Sequence, residues 1–277
     1  MPTRNSPCNC GSGKRFKHCC GAPAVKSANA VPSQGSSPYA KFGDFQGRYR
    51  GRGMLPYVED MPPGVASKLD WVPPGLMVLD DFLDGATCDR WTDYLRKQKS
   101  APVKIQKVNN VVPGSGPQFE LDERRITERV PLGSLEDEIK SVVYGAYREE
   151  ILPYFGKSLD WVDSPDVLKY LPGGKYIVHS DSEYWDMAAR RWVRSMDRDI
   201  SVLIYTNDEF EGGNLYFHNF DIRIKPSRGM LVAFPSDHRY MHAAETLISG
   251  SRFVVTCWSS IKGVSKVNPE PPGVIRL

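Results

Sequence analysis

A chain of 277 residues with 40% hydrophobic and 11% aromatic residues is long enough to bury one large core or two small ones. Its formal net charge of +3 is too small to indicate nucleic-acid binding by itself. No apolar run reaches the roughly 18 residues that a membrane-spanning helix needs, and the N-terminal residues lack the apolar stretch of a secretory signal. A cytoplasmic location without a membrane segment is therefore expected.

The first 22 residues form a segment dense in cysteine. "RNSPCNCGSGKRFKHCCG" places Cys-x-Cys eight residues before Cys-Cys, and four thiols this close are typical of a tetrahedral Zn²⁺ site. Two disulfides are the alternative, but a reducing cytoplasm disfavours them. The four predicted zinc ligands are Cys8, Cys10, Cys19 and Cys20.

This segment resembles the SEC-C motif, which implies a small structural zinc knuckle over residues 1 to 22. The motif accepts histidine or cysteine at its last ligand, so His18 is an alternative to Cys20. A knuckle of this size is too small to hold an active site and is better suited to docking. Lys14, Arg15 and Lys17 favour an acidic partner, either ribosomal RNA or an acidic protein.

Residues 23 to 65 are rich in alanine, proline, serine and glycine, a composition that predicts a flexible linker. Within it, "GRYRGRG" groups Arg48, Arg50 and Arg52 around Tyr49. Such segments can bind RNA by charge and stacking, and the alternative is a solvated linker.

A third region, predicted to be one domain over residues 66 to 277, begins with a short strand and two helices. The first helix is predicted over residues 86 to 97. In the second, "GSLEDEIKSVVYGAYREEILPYFG", Ser134 and Asp137 resemble a capping box. Helical spacing predicts one apolar, core-facing stripe, made of Leu135, Ile139, Val142, Val143, Ala146 and Tyr147.

After residue 165 the helical period gives way to about eight short predicted strands separated by turns, namely "DVLKYL", "KYIVHS", "RDISVLIYTN", "GGNLYFHN", "DIRIKPS", "GMLVAFPS", "ETLISG" and "SRFVVTCWSS". Helices followed by a run of strands indicate an α+β fold. Eight strands suit a jelly roll, or double-stranded β-helix, braced by the helices. The two cysteines outside the first segment, Cys88 and Cys257, lie in apolar surroundings and are predicted to be small buried side chains.

A candidate metal site begins with "KYLPGGKYIVHSD", in which His179 and Asp181 stand two residues apart on a predicted strand. Alternate residues of a strand point to the same side, so both side chains can reach one ion. Downstream, His242 or His238 can supply a third ligand. Two histidines and one carboxylate that leave other positions open suit a non-haem Fe(II) oxygenase.

An open Fe(II) site needs a co-substrate that supplies electrons. If that co-substrate is 2-oxoglutarate, its distal carboxylate needs a fixed cation. Arg252 follows His242 by ten residues, and arginine binds carboxylates in a bidentate manner.

These residues resemble the Fe(II)- and 2-oxoglutarate-dependent dioxygenases, and within them the prolyl 4-hydroxylases. The resemblance rests on the tyrosines and glycines before His-x-Asp, on the spacing from histidine to arginine, on "EGGNLYF" and on "VLDDFLDGATCDRW". It covers roughly residues 75 to 260. The matching positions before the ligands are Tyr170, Gly173, Gly174 and Tyr176.

The resemblance implies a role for each matching residue. His179, Asp181 and His242 would hold Fe(II), and Arg252 would pair with 2-oxoglutarate. Three further positions are Tyr170 and Thr256, as hydrogen-bond partners of the co-substrate, and Tyr176, beside iron and substrate. Trp258 would line the substrate side.

The segment from 182 to 199 interrupts the strand pattern directly after the ligands. It is predicted either to cover the substrate, with Trp185, Arg190 and Arg191 as contacts, or to be an ordinary long hairpin.

The resemblance implies hydroxylation of a peptidyl residue, above all proline, in a protein substrate, and the translation machinery is a candidate source of that substrate. O₂ would be the second co-substrate, and succinate and CO₂ the co-products. A free amino acid or another small metabolite is the alternative substrate.

Overall fold

The structure is a computed structural model, and it describes residues 48–50, 75–106, 119–268 and 274–276. The predicted zinc ligands Cys8, Cys10, Cys19 and Cys20 lie outside the described residues, so the knuckle stays a prediction.

The two predicted helices are present and lie close to their expected positions. They are α1 (Gly85–Arg96), α2 (Glu136–Ala146) and a short continuation, α3 (Leu152–Phe155), which is separated from α2 by a π-helical turn. Asp84 caps α1 by accepting a hydrogen bond from the Thr87 N–H at 3.0 Å, as expected for an N-cap aspartate.

The predicted capping box of the second helix is wrong. A 3₁₀ turn over Gly133–Leu135 precedes α2, and no side chain caps the helix. The Ser134 N–H instead lies 3.0 Å from the hydroxyl oxygen of Tyr94, so a tertiary contact with α1 replaces the local cap.

Short strands make up most of the rest of the chain. They are β1 (Arg48–Arg50), β2 (Met77–Leu79), β3 (Ala101–Pro102), β4 (Ile105–Gln106), β5 (Phe119–Glu120), β6 (Arg125–Ile126), β7 (Glu128–Val130), β8 (Leu159–Asp163), β9 (Asp166–Tyr170), β10 (Lys175–His179), β11 (Glu183–Asp186), β12 (Arg191–Arg194), β13 (Ile200–Tyr205), β14 (Phe210–Gly212), β15 (Leu215–Phe217), β16 (Ile222–Ile224), β17 (Leu231–Pro235), β18 (His242–Ala244), β19 (Leu247–Gly250), β20 (Arg252–Ile261) and β21 (Val274–Arg276). Each of the eight predicted strand segments overlaps one of them.

Two sheets dominate the fold. The larger has ten strands, with the order β1-β2-β17-β13-β20-β9-β7-β3, and in addition β8 pairs with β20 and β21 pairs with β8. The smaller has five strands in the order β16-β15-β18-β10-β6. Residues of both sheets line one cavity, so the α+β architecture with a double-stranded β-helix core is confirmed.

The long central strand β20 shows how the larger sheet divides its two faces. Phe253, Val255 and Cys257 belong to the hydrophobic core that also contains Trp91 of α1 and Ile139 of α2. The alternate residues of the same strand face the cavity, because neighbouring side chains of a strand point to opposite sides. One face is therefore packed by helices, while the other is available for chemistry.

The predicted apolar stripe of the second helix is the part that packs on this sheet. Leu135, Ile139, Val143, Ala146 and Tyr147 are buried in the core, and Val142 packs against it at its edge. Cys88 and Cys257 are buried free cysteines, as predicted.

The predicted linker over residues 23 to 65 differs from the structure at one place. Arg48–Arg50 form β1, which pairs in parallel with β2 at the edge of the larger sheet. An edge strand leaves a row of backbone N–H and C=O groups available for pairing, which explains why a segment without an apolar pattern adds to it. Among the residues that the structure describes, none of the helices has the length and apolarity needed to cross a bilayer.

Candidate metal centre and its cavity

Two paired strands of the smaller sheet bring the predicted histidines together. His179 is the last residue of β10 and His242 the first of β18, and the two residues are direct partners in the antiparallel register. Their rings lie 4.3 Å apart, centroid to centroid. β18 was not among the predicted strands, because His-Ala-Ala carries little β-propensity.

Asp181 completes a compact group of three donors. Its Oδ1 lies 3.5 Å from Nε2 of His179, and its Oδ2 lies 3.6 Å from Nε2 of His242. One ligand atom from each side chain lies within 4.8 Å of the others. These three groups can therefore reach a single ion, as the sequence predicted.

Both imidazoles are held in the same tautomer. Nδ1 of His179 lies 2.8 Å from the carbonyl oxygen of Ile177, and Nδ1 of His242 lies 3.1 Å from that of Tyr240. Each Nδ1 therefore carries the proton and donates it to a backbone carbonyl. The Nε2 lone pairs are left facing Asp181, which is the arrangement that metal-binding histidines need.

A pair of buried serines fixes the carboxylate of Asp181. The Ser201 hydroxyl donates to Oδ2 of Asp181 at 2.7 Å, and the Ser201 and Ser236 hydroxyl oxygens are also 2.7 Å apart. The Asp181 N–H donates to the carbonyl oxygen of Ser236 at 3.1 Å. Sequence reasoning missed Ser201, since a single serine in a buried strand has no distinguishing pattern.

The charge states of these groups suit a cation. Burial alone would raise the pKa of Asp181, but His242 and His179 outweigh it and lower this pKa well below the usual range. Burial and the neighbouring His179 lower the pKa of His242 to about 4. At neutral pH the centre thus contains an ionised carboxylate and a neutral His242.

Arg252 lies inside the molecule and faces the same cavity. Only 2% of its surface is exposed, and its guanidinium carbon stands 4.0 Å from the ring centroid of Tyr170. It donates to the carbonyl oxygen of Gly213, while its buried Nε has no hydrogen-bond partner. Gly213 has a φ of +64°, and a Cβ there would lie 2.8 Å from Cδ1 of Leu247 and 3.4 Å from Nη1 of Arg252, so glycine leaves room for both side chains.

The cavity has a volume of about 670 Å³ and connects Arg252 with the three donors. From β20 it is lined by Arg252, Val254, Thr256 and Trp258. The predicted hydrogen-bond partners Tyr170 and Thr256 both line it, and the Thr256 hydroxyl is 3.5 Å from the carbonyl oxygen of Asp166. The residues predicted for the co-substrate therefore share one wall.

Tyr176 lies directly against the candidate metal centre. Its ring stacks on that of His179 with 3.5 Å between centroids and 19° between planes, and burial raises the pKa of its hydroxyl. The guanidinium carbon of Arg125 lies 4.7 Å from the centroid of the same ring.

The predicted covering segment after the ligands is a hairpin of β11 and β12. Trp258 lines the cavity under Arg198, whose guanidinium carbon is 3.7 Å from the ring centroid. Trp185 and Arg191 are not among the residues that line the cavity, and Trp185 is 44% exposed. Their role as substrate contacts stays a prediction, and Trp192 occupies the cavity wall in their place.

His238, the other candidate for a third ligand, belongs to a different group. Its Nδ1 lies 2.6 Å from Oε2 of Glu183, and its ring stacks on Trp192 with 4.8 Å between centroids. The structure therefore brings His242, not His238, to His179 and Asp181.

Comparison with known families agrees with this geometry. Residues 165–260 match the family described as the 2OG-Fe(II) oxygenase superfamily, and residues 4–22 match the SEC-C motif.

Two curated relatives carry prolyl hydroxylase names. A protein of Acanthamoeba polyphaga mimivirus with a provisional prolyl 4-hydroxylase name is 32% identical over 120 residues, which are 40% of this chain and 50% of the viral protein. Human prolyl 3-hydroxylase 2 is 35% identical over 69 residues, which are 23% of this chain and 10% of the human protein. The matched part thus spans half of the viral relative and a small part of the human one.

Two solved structures of prolyl hydroxylases align with this chain, and the first of them shares its fold. A Trichoplax adhaerens prolyl hydroxylase, in complex with a hypoxia inducible factor peptide fragment, aligns with a TM-score of 0.51 and 20% identity over 67% of this chain and 83% of that chain. A viral collagen prolyl hydroxylase from Paramecium Bursaria Chlorella virus-1 aligns with a TM-score of 0.47 and 18% identity over 67% and 96%.

Proposed function

We propose that this protein is a 2-oxoglutarate-dependent dioxygenase that hydroxylates a peptidyl residue, above all proline, in a protein substrate, and the match of residues 165–260 to the 2OG-Fe(II) oxygenase superfamily supports this proposal. Succinate and CO₂ would be its co-products. The observation that carries the proposal is the convergence of two Nε2 atoms and one carboxylate on one point, in a cavity that also contains a buried arginine.

Fe(II) would be held by His179, Asp181 and His242. The donor set supports this assignment, since two neutral imidazoles and one carboxylate on one side of an ion are typical of non-haem Fe(II) sites. The hydrogen bonds at both Nδ1 atoms and at Oδ2 of Asp181 keep the donors in place before any ion arrives.

2-Oxoglutarate would be held at its distal carboxylate by Arg252. The unpartnered Nε of this buried guanidinium supports the proposal, because a buried charged donor without a partner costs free energy that an incoming carboxylate offsets. Thr256 and Tyr170 stand on the same wall and would add hydrogen bonds.

Iron, 2-oxoglutarate and O₂ together would supply the oxidation, in which one oxygen atom enters succinate, CO₂ leaves and the other oxygen atom enters a substrate C–H bond. The residues of the chain would bind and orient the iron, the co-substrate and the substrate, and they would shield them from water. Tyr176 and Trp258 cover the surroundings of the donors with aromatic surface and limit access of water.

A peptide rather than a free metabolite is supported by the rim of the cavity. Its lining extends to exposed residues such as Phe119, Arg129 and Met196, so that a chain could cross it. The names of the curated relatives point to the same substrate class. One observation favours the metabolite alternative: besides Arg252, Arg125 also lines the cavity, and it could clamp a free carboxylate.

The N-terminal segment would be a zinc knuckle held by Cys8, Cys10, Cys19 and Cys20, with a docking role towards the ribosome or an acidic protein. The match of residues 4–22 to the SEC-C motif supports the zinc proposal.

The proposed ligands can be tested by turnover of 2-oxoglutarate. With Fe(II) and O₂, the purified protein should form succinate, with substrate or uncoupled. His179→Ala and Asp181→Ala should each lower this rate more than about 100-fold, since even residues outside the ligand shell of a metal typically cost 10–100-fold.

His218→Ala is the matched control, because His218 contacts Tyr216 and does not line the cavity. It should keep the rate of the unchanged protein. Full turnover by either ligand variant would exclude this ligand set. The protein substrate is then sought by mass spectrometry of cell extracts, with and without the enzyme, for prolines heavier by one oxygen atom.

A further inference from the structure

Arg125 stands next to the metal centre without being part of it. It is the strand partner of Tyr176 in the pairing of β6 with β10, and its guanidinium lies over the Tyr176 ring. The Tyr176 ring also stacks on the ring of His179. A single aromatic ring thus separates this cation from a proposed iron ligand.

The guanidinium of Arg125 has no anionic partner among the described residues. Its Nε is buried and lacks a hydrogen-bond partner, whereas its neighbours are neutralised. Arg124 lies 2.6 Å from Asp122, and Arg129 lies 2.9 Å from Asp166. Stacking on tyrosine favours a cation, but it does not satisfy the N–H groups, whose burial without a partner is costly.

The charge around the substrate side of the cavity is positive. Lys104, Arg125 and Arg198 line the cavity, but Lys104 is exposed and Arg198 is paired with Asp163, whose Oδ2 lies 3.8 Å from its Nε. The carboxylates in the lining have other partners, since Asp181 faces the two histidines and Glu183 contacts His238. Arg252 stands on the wall of Tyr170 and is assigned to the co-substrate, so Arg125 is left for the substrate.

We propose that the substrate is an acidic peptide, and that Arg125 binds an aspartate or glutamate close in sequence to the hydroxylated residue. Successive Cα atoms are ~3.8 Å apart, and only the ring of Tyr176 separates Arg125 from His179. A carboxylate one or two residues from the hydroxylated residue can therefore reach Arg125. The proposal rests on the proposed function and adds to it the charge of the peptide.

The experiment uses the full chain and a peptide library with a fixed central proline and random residues at three positions on either side. Mass spectrometry identifies the peptides that gain one oxygen atom. Aspartate and glutamate should be enriched at one or two positions near the proline. A matched peptide pair with glutamate or glutamine at that position should differ about tenfold or more in kcat/KM, as expected for a charge-assisted hydrogen bond.

Variants of Arg125 then assign the preference. Arg125→Gln should abolish the difference between the glutamate and glutamine peptides, and Arg125→Glu should favour a lysine peptide instead. Arg124→Gln is the matched control, because Arg124 is already paired with Asp122, and it should keep the preference. Uncoupled succinate formation and the thermal unfolding temperature show that the variants fold and keep the iron site.

The outcomes separate this inference from the proposed function. Hydroxylated peptides without charge preference, or a preference that survives Arg125→Gln, overturn the inference alone. Succinate formation without any hydroxylated peptide, together with hydroxylation of a free amino acid, overturns the peptide class. No succinate under any condition overturns the proposed function itself.

Discussion

Each histidine of the candidate metal centre donates its Nδ1 proton to the carbonyl two residues before it. The acceptors are the backbone carbonyl oxygens of Ile177 and Tyr240, so the tautomer does not depend on any other side chain. Asp181 differs in this respect, because a second side chain, Ser201, donates to its carboxylate. The orientation of Asp181 is therefore the part of the centre that a single mutation outside the ligands can disturb.

Ser201→Ala should weaken metal binding about tenfold, at the lower end of the usual effect of losing a hydrogen bond behind a ligand. Calorimetric titration with Mn²⁺ measures the Kd without any turnover. Ser227→Ala is the control, because Ser227 also donates to an aspartate, Asp80, at 3.0 Å but outside the cavity. An equal Kd in both variants would show that Ser201 does not position Asp181.

Arg252→Ala should raise the KM for 2-oxoglutarate severely. Breaking a buried, hydrogen-bonded charge pair costs about 2–5 kcal/mol, which corresponds to roughly 30-fold or more. Succinate formation at increasing 2-oxoglutarate concentrations measures the change. Arg228→Ala, which removes a partner of Asp89 on the surface, should leave the KM unaltered. An unchanged KM in Arg252→Ala would contradict the assigned role.

At the scale of elements, the hairpin of β11 and β12 forms one wall of the cavity and has a defined attachment. Glu183 accepts hydrogen bonds from the backbone N–H of His238 at 2.8 Å and lies 2.6 Å from its Nδ1. Trp192 stacks on the ring of the same histidine. Both strands of the hairpin are thus fastened to one short 3₁₀ turn, His238–Tyr240.

Glu183→Ala should loosen the hairpin without damaging the metal centre. Hydrogen bonds to charged groups contribute about 1.5–3 kcal/mol, so amide exchange in both strands should accelerate about tenfold or more relative to the core. Hydrogen exchange with mass spectrometry measures it. Glu183→Gln keeps an acceptor for the backbone N–H, so its exchange rates should lie between those of the unchanged protein and those of Glu183→Ala. Unchanged exchange in Glu183→Ala would contradict this attachment.

The sequence predicts elements well where the pattern is periodic. The stripe of α2 and the eight strand segments follow from apolar spacing alone. The capping box of Ser134 fails because Tyr94, distant in sequence, takes its N–H. β18 and Ser201 have no local signal, since their roles arise only when β10, β13 and β18 meet. The proposed role of Arg125 could not be predicted either, because it depends on the absence of a hydrogen-bond partner at its buried Nε, which only the structure shows.

At the scale of the whole molecule, the two sheets supply different parts of the site. The smaller sheet brings His179 and His242, while the larger brings Arg252 and Thr256. The proposed histidine ligands of the metal and the arginine proposed to bind a carboxylate thus belong to different sheets. The N-terminal residues 4–22, which match the SEC-C motif, would add a separate docking segment for the proposed partner, the ribosome or an acidic protein.

The direct pairing of His179 with His242 has a consequence for how the chain folds. A slip of β18 by one residue would turn His242 to the other side of the sheet, so the two imidazoles meet only when these segments are correctly aligned. An ion that binds this arrangement, and not the unfolded chain, stabilises it by RT ln(1 + [M]/Kd). Iron binding would then favour the correctly aligned pairing of β10 with β18 over misaligned ones. The same ion would thus serve both the reaction and the correct folding of the smaller sheet.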